Sequence, residues 1–146
     1  MKYEWLNEYC LSKDGALKDY KTEWEATRYL IGDKMFAMQG EDKNKKEIIT
    51  LKCEPSFGSF LREEYQHVVP GYYMNKIHWN SVYLDGDVPD NILKQMINMS
   101  YELVFKSLSK KVKKEIAGGK KNGWIKMPTL ESVLFSLVNS IKKVGK

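Results

Sequence analysis

Apolar positions recur along this chain with two different periods, and the changes between them outline its elements. Tyr3, Leu6 and Cys10 share one helical stripe, with Trp5 and Tyr9 beside it and Glu4, Asn7 and Glu8 opposite. Spacing of three to four residues predicts an amphipathic first helix over residues 1–12. Ser12-Lys13-Asp14-Gly15 ends it, and residues 16–22 read as a polar connector. From Glu23 to Met38 the composition is β-prone, with Trp24, Thr27, Tyr29, Leu30 and Ile31 followed by Met35 and Phe36. Ile31-Gly32-Asp33-Lys34 fits a short hairpin turn with glycine first. A solvated loop of residues 40–46 leads to a third strand, Glu47 to Cys53.

Glu54-Pro55 then begins a second helix, because proline is accommodated at the first helical position. Phe57, Phe60, Leu61 and Tyr65 form its buried stripe, and Arg62, Glu63 and Glu64 face outward. Between Pro70-Gly71 and Asp85-Gly86, two turn dipeptides, lie strands expected over Tyr72 to Met74 and Trp79 to Leu84. Asn75-Lys76 would join them as a tight hairpin. Pro89-Asp90 caps a third helix from Asn91 to Leu108, where Leu93, Met96, Ile97, Tyr101, Val104 and Leu108 repeat at helical spacing. The order α-β-β-β-α-β-β-α is satisfied by an α+β fold in two layers, a five-stranded antiparallel sheet with helices on one face.

Beyond Leu108 the run S-K-K-V-K-K-E-I-A-G-G-K-K-N-G argues against a continuous helix, because of Gly118-Gly119 and Gly123. Pro128-Thr129 introduces Leu130, Val133, Leu134, Leu137, Val138 and Ile141, a C-terminal amphipathic helix. The chain thus divides into a body of residues 1–126 and a helical extension of residues 127–146. An isolated helix of that length is marginal in water, so its apolar face requires a surface. Its own body would supply one; a second copy or a protein partner, met through Leu130, Leu134, Leu137 and Ile141, is the alternative.

Charge changes the picture more than composition does. The net charge is +5, yet residues 106–146 hold 11 lysines against Glu115 and Glu131, a net of +9. Residues 1–105 carry a net of −4. A basic C-terminal third on an acidic body would steer the molecule toward a polyanion. At 42% apolar and 29% charged residues the composition is that of a globular domain, and no apolar run approaches the ~20 residues needed to cross a bilayer. With no export signal at the N-terminus and only two cysteines, a cytoplasmic location is expected, with Cys10 and Cys53 reduced.

Catalytic and metal chemistry find little support. His67 and His78 show no pairing with a carboxylate or nucleophile, and Cys10, Cys53, His67 and His78 lack the close spacing of a zinc site. Gly118-Gly119-Lys120-Lys121 lacks the spacing and the hydroxyl residue of a phosphate-cradling loop. No catalytic residue, metal or cofactor is therefore assigned, and a non-enzymatic protein is expected. Nucleic-acid binding has the most material: Tyr72, Asn75, Lys76 and His78 in the hairpin, and Lys110, Lys111, Lys113 and Lys114 after the third helix. Lysines are point charges suited to phosphates, and the chain has only two arginines, Arg28 and Arg62, for bidentate base reading. The contacts expected are weak, salt-sensitive and largely independent of DNA sequence.

The segment P-G-Y-Y-M-N-K-I-H-W-N-S-V-Y-L-D-G, residues 70–86, closely resembles the signature of the MmcQ/YjbR family, small bacterial proteins usually labelled DNA-binding. Lys34-Met35-Phe36-Ala37, Leu51-Lys52-Cys53-Glu54-Pro55 and Ser100-Tyr101-Glu102-Leu103-Val104 extend the resemblance across residues 1–116. Tyr73 departs from it, standing where many members carry histidine. The resemblance implies a two-layer fold similar to secretion chaperones and frataxin-like proteins, and DNA as a partner. The rival expectation is a protein-interaction module using the sheet face and the C-terminal helix.

Overall fold

The computed structural model describes residues 2–71 and 74–118. Tyr72, Tyr73 and the whole extension with Leu130, Leu134, Leu137 and Ile141 lie outside the described residues. The elements run α1 (Leu6–Leu11), β1 (Leu17–Lys21), a single 3-10 turn (Thr22–Trp24), β2 (Ala26–Ile31), β3 (Lys34–Glu41) and β4 (Glu47–Lys52). They continue as α2 (Pro55–Glu64), β5 (Val68–Pro70), β6 (Trp79–Tyr83), α3 (Asp90–Ser107) and α4 (Lys110–Gly118). The α+β class is as expected, but the antiparallel sheet has six strands in the order β1-β2-β3-β4-β6-β5. Strands β1 to β4 form a meander; the chain then crosses by α2 to the outer edge, and β6 returns between β5 and β4.

The additional strand is β1, in the stretch read from sequence as a connector. Residues Leu17 to Tyr20 are all exposed, so no burial alternation marks the strand. Backbone pairing with β2, Leu17 opposite Leu30 through Lys21 opposite Ala26, creates it instead. A strand stands at Val68–Pro70; of the strand expected over Tyr72 to Met74, Tyr72 and Tyr73 lie outside the described residues and Met74 is not in a strand. Pro70 has no N–H to donate and is tolerated because β5 is an edge. Gly71 extends this pairing by donating its N–H to the Trp79 carbonyl at 2.8 Å. Its lack of a side chain serves close approach: a Cβ there would lie 2.9 Å from the Trp79 backbone oxygen.

Paired residues across antiparallel strands share a face. One face carries Tyr29, Ala37, Leu51 and Asn80 in register. It receives three helices. The Tyr29 hydroxyl donates to Asn7 Oδ1 of α1 at 2.9 Å, and Arg62 of α2 donates to Asn80 Oδ1. Ile92, Leu93, Met96 and Ile97 of α3 join Ile49, Leu51, Val82 and Leu84 in one core. Each fully buried side chain of this kind contributes roughly 1.5–3 kcal/mol. Ser100 of α3 closes the frayed end of the β3–β4 ladder: its hydroxyl accepts from Lys52 N at 2.8 Å and donates to the Phe36 carbonyl. Asp90 is the first residue of α3, and its charge complements the helix N-terminus; Pro89 occupies the cap position. Cys10 and Cys53 are both free and buried.

The second face holds a buried centre of its own. Thr50 and Ser81, partners across β4 and β6, share a hydroxyl–hydroxyl hydrogen bond of 2.8 Å and are fully buried. Ala26, Met38 and Ile48 on the same face are 1–6 % exposed.

Candidate nucleic-acid interface

The first part of the lysine-rich stretch after α3, Lys110–Gly118, folds as a helix; Gly119 to Gly123, where a break was expected, lie outside the described residues. Ser109 caps α4, its Oγ accepting from Val112 N at 3.2 Å and its carbonyl accepting from Lys113 N at 2.9 Å. The helix runs through good helix formers and is described as far as Gly118. Val112 and Ile116, four residues apart, are the docking side. Val112, with Leu108, lies over Gly32, and Ile116 lies over Gly15. Both glycines have positive φ, +64° and +73°, so the two tight turns that seat α4 require them.

Docking by Val112 and Ile116 fixes which lysines face water. At ~100° per residue, Lys110, Lys111 and Lys114 fall on the outer side and are exposed. Lys113 is half-buried on the flank, its ammonium 5.9 Å from the Phe105 ring. Two further lysines adjoin the patch. Lys34 Nζ lies 3.3 Å from both Ser107 O and Ser107 Oγ at the end of α3, and Lys106 is the residue before Ser107. Beneath them sits Glu102, 5% exposed, with Oε1 3.7 Å from Lys106 Nζ and Oε2 without a hydrogen-bond partner among the described residues. Burial raises its carboxyl pKa, and Lys106 and Lys113 partly oppose that shift. Asp33 and Glu115 are the exposed acidic residues in these same segments.

The signature loop has a different character. Instead of a tight two-residue hairpin at Asn75-Lys76, Met74 to His78 form an irregular loop ahead of Trp79. Asn75 shapes it, accepting from Ile77 N through Oδ1 at 2.8 Å and from Trp79 N through its carbonyl at 2.9 Å. Lys76 Nζ donates to the Gly71 carbonyl at 3.1 Å, and the His78 carbonyl accepts from Cys53 N at 2.6 Å. Asn75, Lys76 and His78 therefore hold the loop to itself and to the end of β4. Trp79, at the start of β6, is half-buried. Tyr72, the remaining candidate of this loop, is outside the described residues.

Strand register brings the two groups to one end of the sheet. Ile31 faces Lys34 at the β2–β3 turn under α4, while Lys52 faces Trp79 where the loop begins. Strands β3 and β6 flank β4, so at ~4.8 Å per strand their axes stand about 10 Å apart. The opposite end carries Glu23, Glu25, Glu41 and Asp42. A cavity of about 590 Å³ is lined by these residues with Lys43, Lys45, Trp24, Ala26, Met38 and Ile48, and by Met74, so the signature loop reaches from its own end toward this one.

Asp42 was not legible as structural, since it sits in a run of charged residues. Its carboxylate accepts from Asn44 N, Lys46 N and the Tyr83 hydroxyl at 2.8–3.0 Å. The Lys46 amide is the largest of the influences that lower its pKa, followed among the bonds by Tyr83 and Asn44. His67 pairs with Asp87 at 3.0 Å beyond the far end of β6 from His78, so the two histidines are not brought together. Among the described residues no group of three or more histidine, cysteine or acidic side chains is placed to hold a metal ion.

Comparison with known proteins agrees with this architecture. A family model described as YjbR matches residues 11–103. The chain is similar to the protein YjbR of Escherichia coli K12, 36% identical over 97 residues, covering 66% of this chain and 81% of that one. It is also similar to YbdF of Escherichia coli O157:H7, 34% identical over 91 residues, 62% of this chain and 74% of that one. Among solved structures, Deinococcus radiodurans protein DR2400, with a domain named DUF419, superposes with a TM-score of 0.68 at 29% identity. That match covers 83% of this chain and 93% of the other.

Proposed function

The chain belongs to the YjbR family, and from that premise we propose that it is a non-enzymatic, cytoplasmic nucleic-acid-binding protein that grips phosphates through α4. The observation that supports this reading is the docking of α4 by Val112 and Ile116, which leaves Lys110, Lys111 and Lys114 exposed as one stripe. Lys34 and Lys106 widen the stripe at the neighbouring turn and helix end. The N-terminus of α4 adds its own favourable dipole for a phosphate. Lysine ammonium groups on a convex helix provide charge without the planar forks that read base edges, so the binding is weakly sequence-dependent.

Fluorescence anisotropy with labelled duplex and single-stranded DNA across a salt series tests this. Log affinity falls linearly with log salt, and replacing Lys110, Lys111 and Lys114 by glutamate abolishes binding while leaving the fold intact by circular dichroism. Absence of binding to either DNA at low salt would sink the reading.

A second reading, a protein-interaction module using the second sheet face, is favoured by Trp24, which is 51% exposed beside the apolar Ala26, Met38 and Ile48. Under it, Trp24→Ala weakens partner capture, while the lysine replacements leave it unchanged.

A further inference from the structure

Among the described residues, strand β1 has a hydrogen-bonded neighbour on one side only, β2, and its outer edge is open. Natural sheets avoid leaving such an edge both unpaired and apolar, because free N–H and C=O groups there recruit other strands. This edge carries two of the most exposed apolar side chains among the described residues, Leu17 at 63% and Tyr20 at 60%. Its charges are of mixed sign, Lys18, Asp19 and Lys21, so they do not repel every incoming strand. They select a partner and a register.

We propose that β1 pairs antiparallel with β1 of a second copy of this chain, centred on Tyr20, so that the two six-stranded sheets become one continuous sheet. A two-fold axis normal to the sheet relates the copies and keeps each face on its own side. Residues directly opposite must then share a face, which restricts the registers to those centred on a residue of β1. Centring on Lys18 or Lys21 sets lysine against lysine, and centring on Asp19 sets aspartate against aspartate. Centring on Leu17 brings no opposite charges together, because it sets Ala16 against Lys18. Centring on Tyr20 gives a ladder of Asp19 to Lys21, which ends at the Thr22–Trp24 turn; it sets the two Tyr20 rings together at the axis and places Asp19 of each copy opposite Lys21 of the other. Opposite charges and paired aromatics each stabilise such cross-strand positions.

The arrangement within one copy suits this register. Arg28 on β2 approaches Asp19 from the inner side with Nε–Oδ1 and Nη2–Oδ2 distances of 2.9 and 2.6 Å. The Asp19 carboxylate, 45% exposed, is thereby fixed on one side and open on the side where the second copy's Lys21 arrives. Lys21 is steadied against the Trp24 ring, its ammonium 5.5 Å from the ring centre. The free backbone groups of the edge supply the hydrogen bonds.

Sedimentation equilibrium of the full chain over a concentration series is the primary test, with a concentration-dependent monomer–dimer equilibrium expected. Register is tested by mild oxidation of single-cysteine variants, read on non-reducing gels; native Cys10 and Cys53 are buried and serve as the background. In the proposed register the two Tyr20 Cα atoms lie about 4.5–5.5 Å apart, within disulfide reach. The two Lys18 positions are displaced by roughly 13 Å along the strands and are out of reach. Tyr20→Cys therefore gives a covalent dimer and Lys18→Cys does not, and Lys21→Glu weakens self-association about tenfold or more. A monomer at every concentration overturns the proposal, as does cross-linking of Lys18→Cys equal to that of Tyr20→Cys.

Discussion

Ile116 rests directly on Gly15: a Cβ on that glycine would come within 3.1 Å of the Ile116 Cγ2. One glycine in the loop before β1 thus seats the helix that displays the lysines. Ile116→Ser removes the seat contact and costs about 1–2 kcal/mol of local stability. Hydrogen exchange of α4 amides is expected to quicken, with α3 amides unchanged.

Charge on α4 and charge on the signature loop separate in a salt titration. Each of Lys110, Lys111 and Lys114 replaced by glutamine lowers the slope of log affinity against log salt by about 0.9 for duplex DNA. Lys76→Gln, whose ammonium is bonded to the Gly71 carbonyl, leaves that slope unchanged and instead lowers thermal stability.

Glu102 provides a pH signature. Its pKa is raised by burial, so the folded state takes up a proton more readily than the unfolded one. The resulting stabilisation is complete below the ordinary glutamate value of about 4.3 and is lost as pH rises through the raised value. Glu102→Gln therefore raises Tm by a few degrees at pH 7, and calorimetry at decreasing pH shows the gap to the parent closing.

Asp42 has the opposite sign. Hydrogen bonds from Lys46 N, Tyr83 and Asn44 hold its pKa below the usual carboxylate range, so its contribution is present above about 3.9 and lost as pH falls through the lowered value. Asp42→Ala lowers Tm at pH 7 and speeds exchange of the Asn44 and Lys46 amides. At acid pH the two proteins converge in stability.

Gly71→Ala tests the reading of the signature glycine as a close-approach residue. Its added carbon meets the Trp79 backbone oxygen at 2.9 Å, and a backbone atom cannot rotate away. A loss on the order of 1–3 kcal/mol in urea unfolding is expected.

Periodicity in this chain reports burial, and elements formed by burial were legible from it. The stripe of Leu93, Met96, Ile97, Tyr101 and Val104 marked α3, and the Glu54-Pro55 start of α2 was read directly. Alternating and continuous apolar runs placed β2, β3, β4 and β6, and the lysine content of residues 106–146 marked a basic pole. The sequence by itself determined the α+β class, the helix-covered sheet and the family signature. Tertiary structure decided what pairing and docking alone create. Strand β1 exists because its backbone bonds to β2, and no side-chain pattern announces a strand exposed on all but one residue. Helix α4 exists because Gly15 and Gly32, some 80–100 positions away in sequence, leave room for Ile116 and Val112. Asp42 is structural because Tyr83 reaches it across 41 residues. Each is a long-range contact, and a local pattern records only what its own neighbours bury.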